Sequence, residues 1–237
     1  MKPIYKRLLL KLSGEVLAGE KGVGIDFEKV LEVCESIKEC VDMGVQVAIV
    51  VGGGNFWRGR AHKDMDRCTA DHIGMLGTTM NALTLQDGFK QVGVESRVQT
   101  GIEMRQIAEF YIKNRATRHL EKDRIVIFGC GTGSPFFTTD TASALRASEI
   151  NAEVMLMAKN GVDGIYDDDP KTNPNAKKLD KVTYDEIIKK DLKVMDTSAC
   201  ALCKQNKIPI NVFDFKAQGS LVKIMNGEEV GTYVSVN

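Results

Sequence analysis

The chain has 237 residues, 43% of them apolar, and its 32 acidic and 32 basic side chains cancel to no net charge. That length and apolar share suffice to bury a core, while the balanced charge excludes the strongly basic footprint of a nucleic-acid protein. No stretch approaches about 18 consecutive apolar residues, which excludes a membrane-spanning helix.

The N-terminus begins basic and continues into a short apolar run, but Lys11 interrupts that run and no small-residue cleavage site follows. It therefore reads as a first strand over 4–12, centred on Leu8, Leu9 and Leu10, rather than as an export signal. Lys11 stands at its end, before Ser13 and Gly14. A glycine-rich link over 19–24 reads as a mobile loop. From Asp26, a helix cap, the spacing becomes helical: Phe27, Val30, Leu31, Cys34, Ile37 and Val41 share a face, and Gly44 stops the helix.

A second strand over 45–51 breaks into Gly52, Gly53 and Gly54, with Arg58 and Arg60 close behind. A helix is expected over 71–92, with Ile73, Leu76, Met80 and Leu83 at helical spacing; Gly74 and Gly77 each weaken it by about 1 kcal/mol unless something packs closely there. Then come a strand over 95–100, a helix over 104–120 and a strand over 124–128. That last strand breaks into the glycines Gly129, Gly131 and Gly133 of a segment ending at Thr139 and Asp140. A helix over 141–150, with Asp140 as its cap, a strand over 153–158 and a polar loop over 159–178 follow. A helix over 197–205, a strand over 208–213, a short helix over 221–225 and a strand over 231–236 complete the chain. Strands alternating with helices imply an α/β fold with a mainly parallel central sheet covered on both faces.

The six cysteines are scattered, and Cys200 and Cys203 form the one C-x-x-C; without a second ligand pair or a thioredoxin-like setting they read as packing residues of a reducing cytoplasm.

Ligands of a parallel sheet bind beyond the carboxyl ends of its strands. Three strand ends, after Leu12, Val51 and Phe128, carry glycines there, with Lys11 and Arg58 beside two of them. Glycine turns let backbone N–H groups converge on an anion. The P-loop motif is absent, and neither glycine cluster has the G-x-G-x-x-G spacing of a dinucleotide fold. What remains suits phosphoryl transfer, in which the protein positions two anions and neutralises charge. Lys11 is placed to bridge donor and acceptor phosphates, Arg58 to hold an acceptor phosphate by its planar fork, and Asp140 to orient a lysine or a magnesium ion. A phosphate acceptor is already ionised near pH 7, so no general base is needed.

As an ordered set, the residues Lys11–Glu15 (numbers 11–15), 51–55 with Arg58 and Gly59, 71–75, 131–140 and 162–170 resemble the bacterial uridylate kinases of the amino acid kinase family. The stretch Gly131-Thr-Gly-Ser-Pro-Phe-Phe-Thr-Thr-Asp140 separates that branch from kinases acting on aspartate, glutamate or acetylglutamate. The resemblance implies a three-layer αβα sandwich forming a single domain over 1–237, its N-terminal part mainly an acceptor site and its C-terminal part mainly an ATP site. It implies a cytoplasmic homohexamer that moves the γ-phosphate of ATP to UMP with Mg²⁺, in pyrimidine nucleotide synthesis.

Carried over by position, Lys11, Leu12, Ser13, Gly14, Gly53 and Arg58 resemble contacts to ATP, joined by Asn160, Tyr166 and Asp169. Gly52 and Asp71 resemble contacts to UMP, which Thr132, Gly133, Ser134, Pro135, Phe136, Phe137, Thr138 and Thr139 wrap. Lys11, Arg58 and Asp140 resemble the catalytic set, with no protein metal ligand assigned. Gly22, Val23, Gly24, Ile25 and Asp26 resemble a segment linked to GTP activation, and UTP inhibition is the family's other common response. Residues 158–162 are one longer than in some members, which leaves Lys159 and Asn160 as alternatives for facing ATP. Two other readings stand beside this one: a kinase of the same family with a carboxylate or carbamate acceptor, and a non-catalytic uridylate-binding regulator.

Overall fold

The computed structural model describes residues 2–58, 64–159, 161–170, 172–192 and 194–236, so Gly59, Arg60 and Asn160 lie outside the described residues. Apolar runs build the centre of a sheet: β1 (Arg7–Leu12) pairs in parallel with β2 (Gln46–Val51) on one side and β6 (Val154–Lys159) on the other. Outward from β2 lie β5 (Ile125–Gly129), β3 (Ser96–Thr100) and β4 (Glu109–Phe110). Outward from β6 lie β10 (Ile210–Asp214), β11 (Thr232–Ser235) and β9 (Lys181–Thr183). Among the described residues this is a nine-stranded sheet, parallel throughout except where β11 runs against β10. A separate hairpin joins β7 (Ile165–Tyr166) to β8 (Lys178–Leu179).

Side chains alternate across a strand, and that alternation makes two cores. Leu8, Leu10 and Leu12 face the helices α1 (Phe27–Asp42), α2 (Arg67–Gln91) and α7 (Ser220–Met225). Leu9, Met155 and Met157 face α3 (Lys113–Leu120), α4 (Thr139–Glu149), α5 (Tyr184–Lys189) and α6 (Thr197–Gln205). The expected mainly parallel sheet with helices on both faces is therefore present. Lys11 and Lys159 have the parity of Leu9 and Met157, so both belong to the face that α4 covers.

Four local expectations are corrected, and one helix is new. The helix expected over 104–120 exists only as α3; before it, Met104 C=O accepts from the Ile107 and Ala108 amides, and the chain then pairs as β4 along β3. The open sheet edge at Gln99 and Thr100 wins over helical propensity there. The link over 19–24 is tied down: Gly24 N–H donates to Asn55 C=O at 2.9 Å, Asp26 N–H donates to Leu17 C=O at 2.8 Å, and the preceding 3₁₀ turns bury Leu17 and Ala18. Leu76 and Met80 are about half exposed, whereas Met75, Thr78, Ala82, Leu85 and Phe89 form the buried face of α2. Thr138, not Asp140, caps α4, its hydroxyl accepting from the Asp140 and Thr141 amides. The unanticipated α5 starts at a reciprocal Thr183–Glu186 capping box.

Candidate active site

The glycine breaks let three segments approach more closely than side chains would permit. A Cβ on Gly53 would lie 2.7 Å from the Gly74 carbonyl, and one on Gly77 would lie 3.4 Å from Phe56 Cβ. The two helix glycines thus let α2 pack against the turn after β2, which offsets their low helix propensity. Gly52 is committed internally: its N–H donates to Leu12 C=O at 2.9 Å, and its carbonyl accepts from Asn81 Nδ2 at 2.7 Å. Its N–H is therefore not an open donor, and Gly52 lines neither the cleft of Lys11 nor that of Lys159.

Beyond these strand ends lies a cleft of about 670 Å³, lined by Lys11, Gly53, Asp71, Thr132, Phe137, Thr138, Thr139 and Asp140 among the expected residues. Arg67, Trp57, Thr78, Val194 and Asp196 also line it and were not anticipated. A second cleft of about 400 Å³ is lined by Lys159, Tyr166, Asp167, Asp169 and again Val194. The two share Val194 as a lining residue; Lys11 and Asp140 line the first, while Lys159, Tyr166 and Asp169 line the second.

On the wall of the first cleft Lys11 Nζ lies 3.0 Å from Asp140 Oδ1, and both side chains are largely shielded from water. Strand β1 delivers the lysine and the first turn of α4 delivers the aspartate. Lys159 Nζ donates to the Val194 carbonyl at 2.9 Å. Burial, reinforced by the like charge of Lys11 and opposed by Asp140, holds the Lys159 ammonium below its ordinary value. Two cations and one anion therefore share a poorly hydrated place at the strand ends.

The segment after β5 is held from several sides. Asp71 Oδ2 accepts from the Phe136 amide and from Arg67 Nε, each at 2.8 Å, and the Arg67 guanidinium lies 5.5 Å over the Phe136 ring. Phe136 adopts a positive φ of 72°, an uncommon conformation for a side-chain-bearing residue that these contacts stabilise. Gly133 has φ of 82° and presses on the Gly101 backbone, where a Cβ has no room. Asp196 accepts from the Thr138 and Thr141 hydroxyls and from the Ala199 amide, joining the starts of α4 and α6. Beneath the segment, Arg146 reaches the Gly131 carbonyl at 3.4 Å, stacks 3.7 Å over Tyr111 and pairs with Glu149 at 2.7 Å.

The remaining expected residues stand as follows. Leu12 is fully buried and offers a ligand only its backbone. Gly14 sits where any Cβ would strike Asn55 and the Gly52 carbonyl. Ser13 joins β1 to the 3₁₀ turns, its carbonyl accepting from the Val16 amide at 3.0 Å. Arg58 pairs with Glu15 and does not line either cleft. Ser134, Pro135 and Phe136 form the outer part of the held segment, with Phe136 well exposed. Tyr166 stands in β7, its hydroxyl donating to Asp163 at 2.6 Å. In the segment 22–26, Val23 and Ile25 are exposed, Asp26 caps α1, and Gly24 is bonded through both its N–H and its C=O to Asn55. Asn55 in turn exchanges hydrogen bonds with Asn81, which holds Gly52.

The chain is 58% identical over 232 residues to a uridylate kinase of Pediococcus pentosaceus, covering 97% of this chain and 96% of that one. It is 55% identical over 236 residues to a uridylate kinase of Streptococcus thermophilus, covering 99% and 96%. Its fold superimposes with a TM-score of 0.95 on the crystal structure of UMP kinase from Bacillus anthracis, at 41% identity and with 98% and 97% of the two chains covered. The family model described as "Amino acid kinase family" matches residues 6–214. A match of that extent, on a parallel sheet whose strand ends carry paired clefts and a buried lysine–aspartate contact, establishes that the chain belongs to the amino acid kinase family.

Proposed function

We propose that the chain is a UMP kinase, transferring the γ-phosphate of ATP to UMP to give UDP and ADP. The observation that carries the reading is the Lys11–Asp140 contact on the wall of the first cleft, with the second cleft sharing Val194 as a lining residue. One cleft, walled by Asp71 and the Thr132–Thr139 stretch (132–139), suits a nucleoside monophosphate. The other, with the Tyr166 ring and the Asp169 carboxylate, suits the base and ribose of the donor. The uridylate kinase names of relatives 55–58% identical support uridylate as the acceptor.

In this reading Asp71 and the backbone of 132–139 orient UMP, with Gly52 behind it. Lys11 stabilises the charge on the moving phosphoryl group, and Asp140 aims the lysine. Ser13, Gly14 and Gly53 offer backbone to the donor phosphates, and Arg58 closes on them once it leaves Glu15. For Asn160, outside the described residues, the donor role rests on the resemblance alone. Catalysis rests on position and charge, since the acceptor oxygen is ionised already.

The divalent cation that ATP chemistry implies is Mg²⁺, carried on the triphosphate and neutralising its charge. Asp140 and Asp196 on the cleft wall fit a site completed mainly by phosphate oxygens and water. Exposed Leu76 and Met80 on α2 support assembly into a homohexamer. The bond path from Gly24 through Asn55 and Asn81 to Gly52 supports a regulatory role for 22–26, with GTP activating and UTP inhibiting. No helix among the described residues is long and apolar enough to cross a membrane, which accords with a cytoplasmic enzyme.

The test is a coupled assay with Mg-ATP and UMP, run beside acetylglutamate, aspartate and carbamate. UDP formation with UMP alone among these is the expected result. No ADP release with UMP, or release with a carboxylate or carbamate instead, overturns the reading.

A further inference from the structure

Lys159 is an expensive residue in its position. It ends β6 in the row of Met155 and Met157, a row that packs against helices, and an apolar side chain would satisfy that core. Its ammonium donates to a neutral carbonyl, that of Val194, and among the described residues no carboxylate forms an ion pair with it. The nearest charges that act on it are Lys11, which repels it, and Asp140, which already contacts Lys11. A buried cation without its own counter-charge is unfavourable unless an anion arrives.

The anion that would arrive is set by position. Lys11 pairs in register with Met157, and Lys159 lies two residues further along on the same face, as the last residue of β6. Lys11 lines the first cleft, whereas Lys159 lines the second with Tyr166 and Asp169. We infer that Lys159 is a second catalytic cation, one that holds the donor nucleotide's phosphate chain and neutralises the oxygen that leaves with ADP.

The inference rests on the kinase reading above and adds a role to it. In the transfer, the bond from the γ-phosphorus to the β–γ bridging oxygen breaks, and a bond from that phosphorus to a UMP phosphate oxygen forms. The electron pair of the broken bond stays on the β-phosphate of ADP, and no proton need move. Lys11 then serves the moving phosphoryl group and Lys159 the group it leaves.

Lys159→Met keeps the length and apolar stem of the side chain and removes its charge, and Lys159→Arg restores a cation. Three readouts separate the outcomes: turnover with Mg-ATP and UMP, calorimetric binding of ADP alone, and thermal unfolding. Lys159→Met should lower kcat by about 100-fold or more, weaken ADP by about tenfold, and change the KM for UMP by no more than about threefold. Its unfolding temperature should stay within a few degrees of the parent, and Lys159→Arg should recover part of the ADP affinity. Near-parental kcat and ADP affinity in Lys159→Met overturn the inference, as does a loss of kcat matched by loss of folded protein with ADP affinity intact. If the parent chain itself makes no UDP, the kinase reading fails instead, and ADP binding still reports on Lys159 as a phosphate contact.

Discussion

The side-chain amides of Asn55 and Asn81 are buried against each other and exchange two hydrogen bonds, at 3.0 and 2.7 Å, tying the turn after β2 to the middle of α2. Asn81 also donates to the Gly52 carbonyl, and Asn55 to the Gly24 carbonyl. Asn81→Ala leaves the Gly52 carbonyl and Asn55 Oδ1 buried without their donor, while Asn55 Nδ2 keeps the Gly24 carbonyl. At about 1–3 kcal/mol for each such group, a loss of about 2–5 kcal/mol is expected in urea unfolding. A loss under about 0.5 kcal/mol would show the pair to be dispensable.

Lys11→Ala removes the cation paired with Asp140 in the first cleft and should lower kcat by about 10²–10³-fold, the scale on which single charge-stabilising groups act. The KM for UMP should change far less. Asp140→Asn preserves shape and removes the charge facing Lys11, so turnover should fall while the unfolding temperature holds. Near-native turnover in Lys11→Ala would refute its assigned role.

Gly53→Ala and Gly54→Ala form a matched pair. At Gly53 the added Cβ would sit 2.7 Å from the Gly74 carbonyl, while at Gly54 the nearest atom, Glu15 Oε1, is 3.6 Å away. Overpacking against backbone costs about 1–3 kcal/mol, so the first should be distinctly destabilised and the second nearly neutral. Equal unfolding midpoints would contradict the close approach of α2 to the turn.

Burial pushes the thiols of Cys34, Cys40 and Cys203 from an ordinary 9.0 up to about 12. A group that holds its proton more tightly folded than unfolded adds stability below its unfolded value and loses it as the pH rises through the window. Stability should therefore fall between about pH 9 and 12, by up to about 1.4 kcal/mol per pH unit for each thiol. Chemical unfolding as a function of pH checks the slope. A thiol reagent at pH 8 should find Cys68, the one half-buried cysteine, well before the five buried ones.

Much of this was legible because glycines at strand ends mark both topology and chemistry. Lys11, Asp71, Thr138 and Asp140 stand in short local patterns, and the structure brings all four to one cleft. Arg67 was within reach too, one turn ahead of Asp71 on the same helix face. Asp196 and Lys159 depend on which distant elements become neighbours: the first meets α4 across 55 residues or more, and the second meets Val194 across 35. No local spacing encodes those meetings. The apolar stripe of α2 misled for a related reason, since small and polar side chains pack on the glycine turn while Leu76 and Met80 face outward. Over 104–120, sheet pairing at an edge overrode a helical pattern that was locally sound.

The two clefts share Val194 as a lining residue, and phosphoryl transfer between their occupants requires the two phosphate chains to meet. A uridine and an adenosine joined through a chain of phosphates would present its anionic bridge to Lys11 and Lys159 while each nucleoside takes its own side. Tethering turns the second encounter into an intramolecular one, so such a compound should inhibit at concentrations where a mixture of the separate halves does little. The optimal number of bridging phosphates would act as a ruler for the path between the two nucleosides.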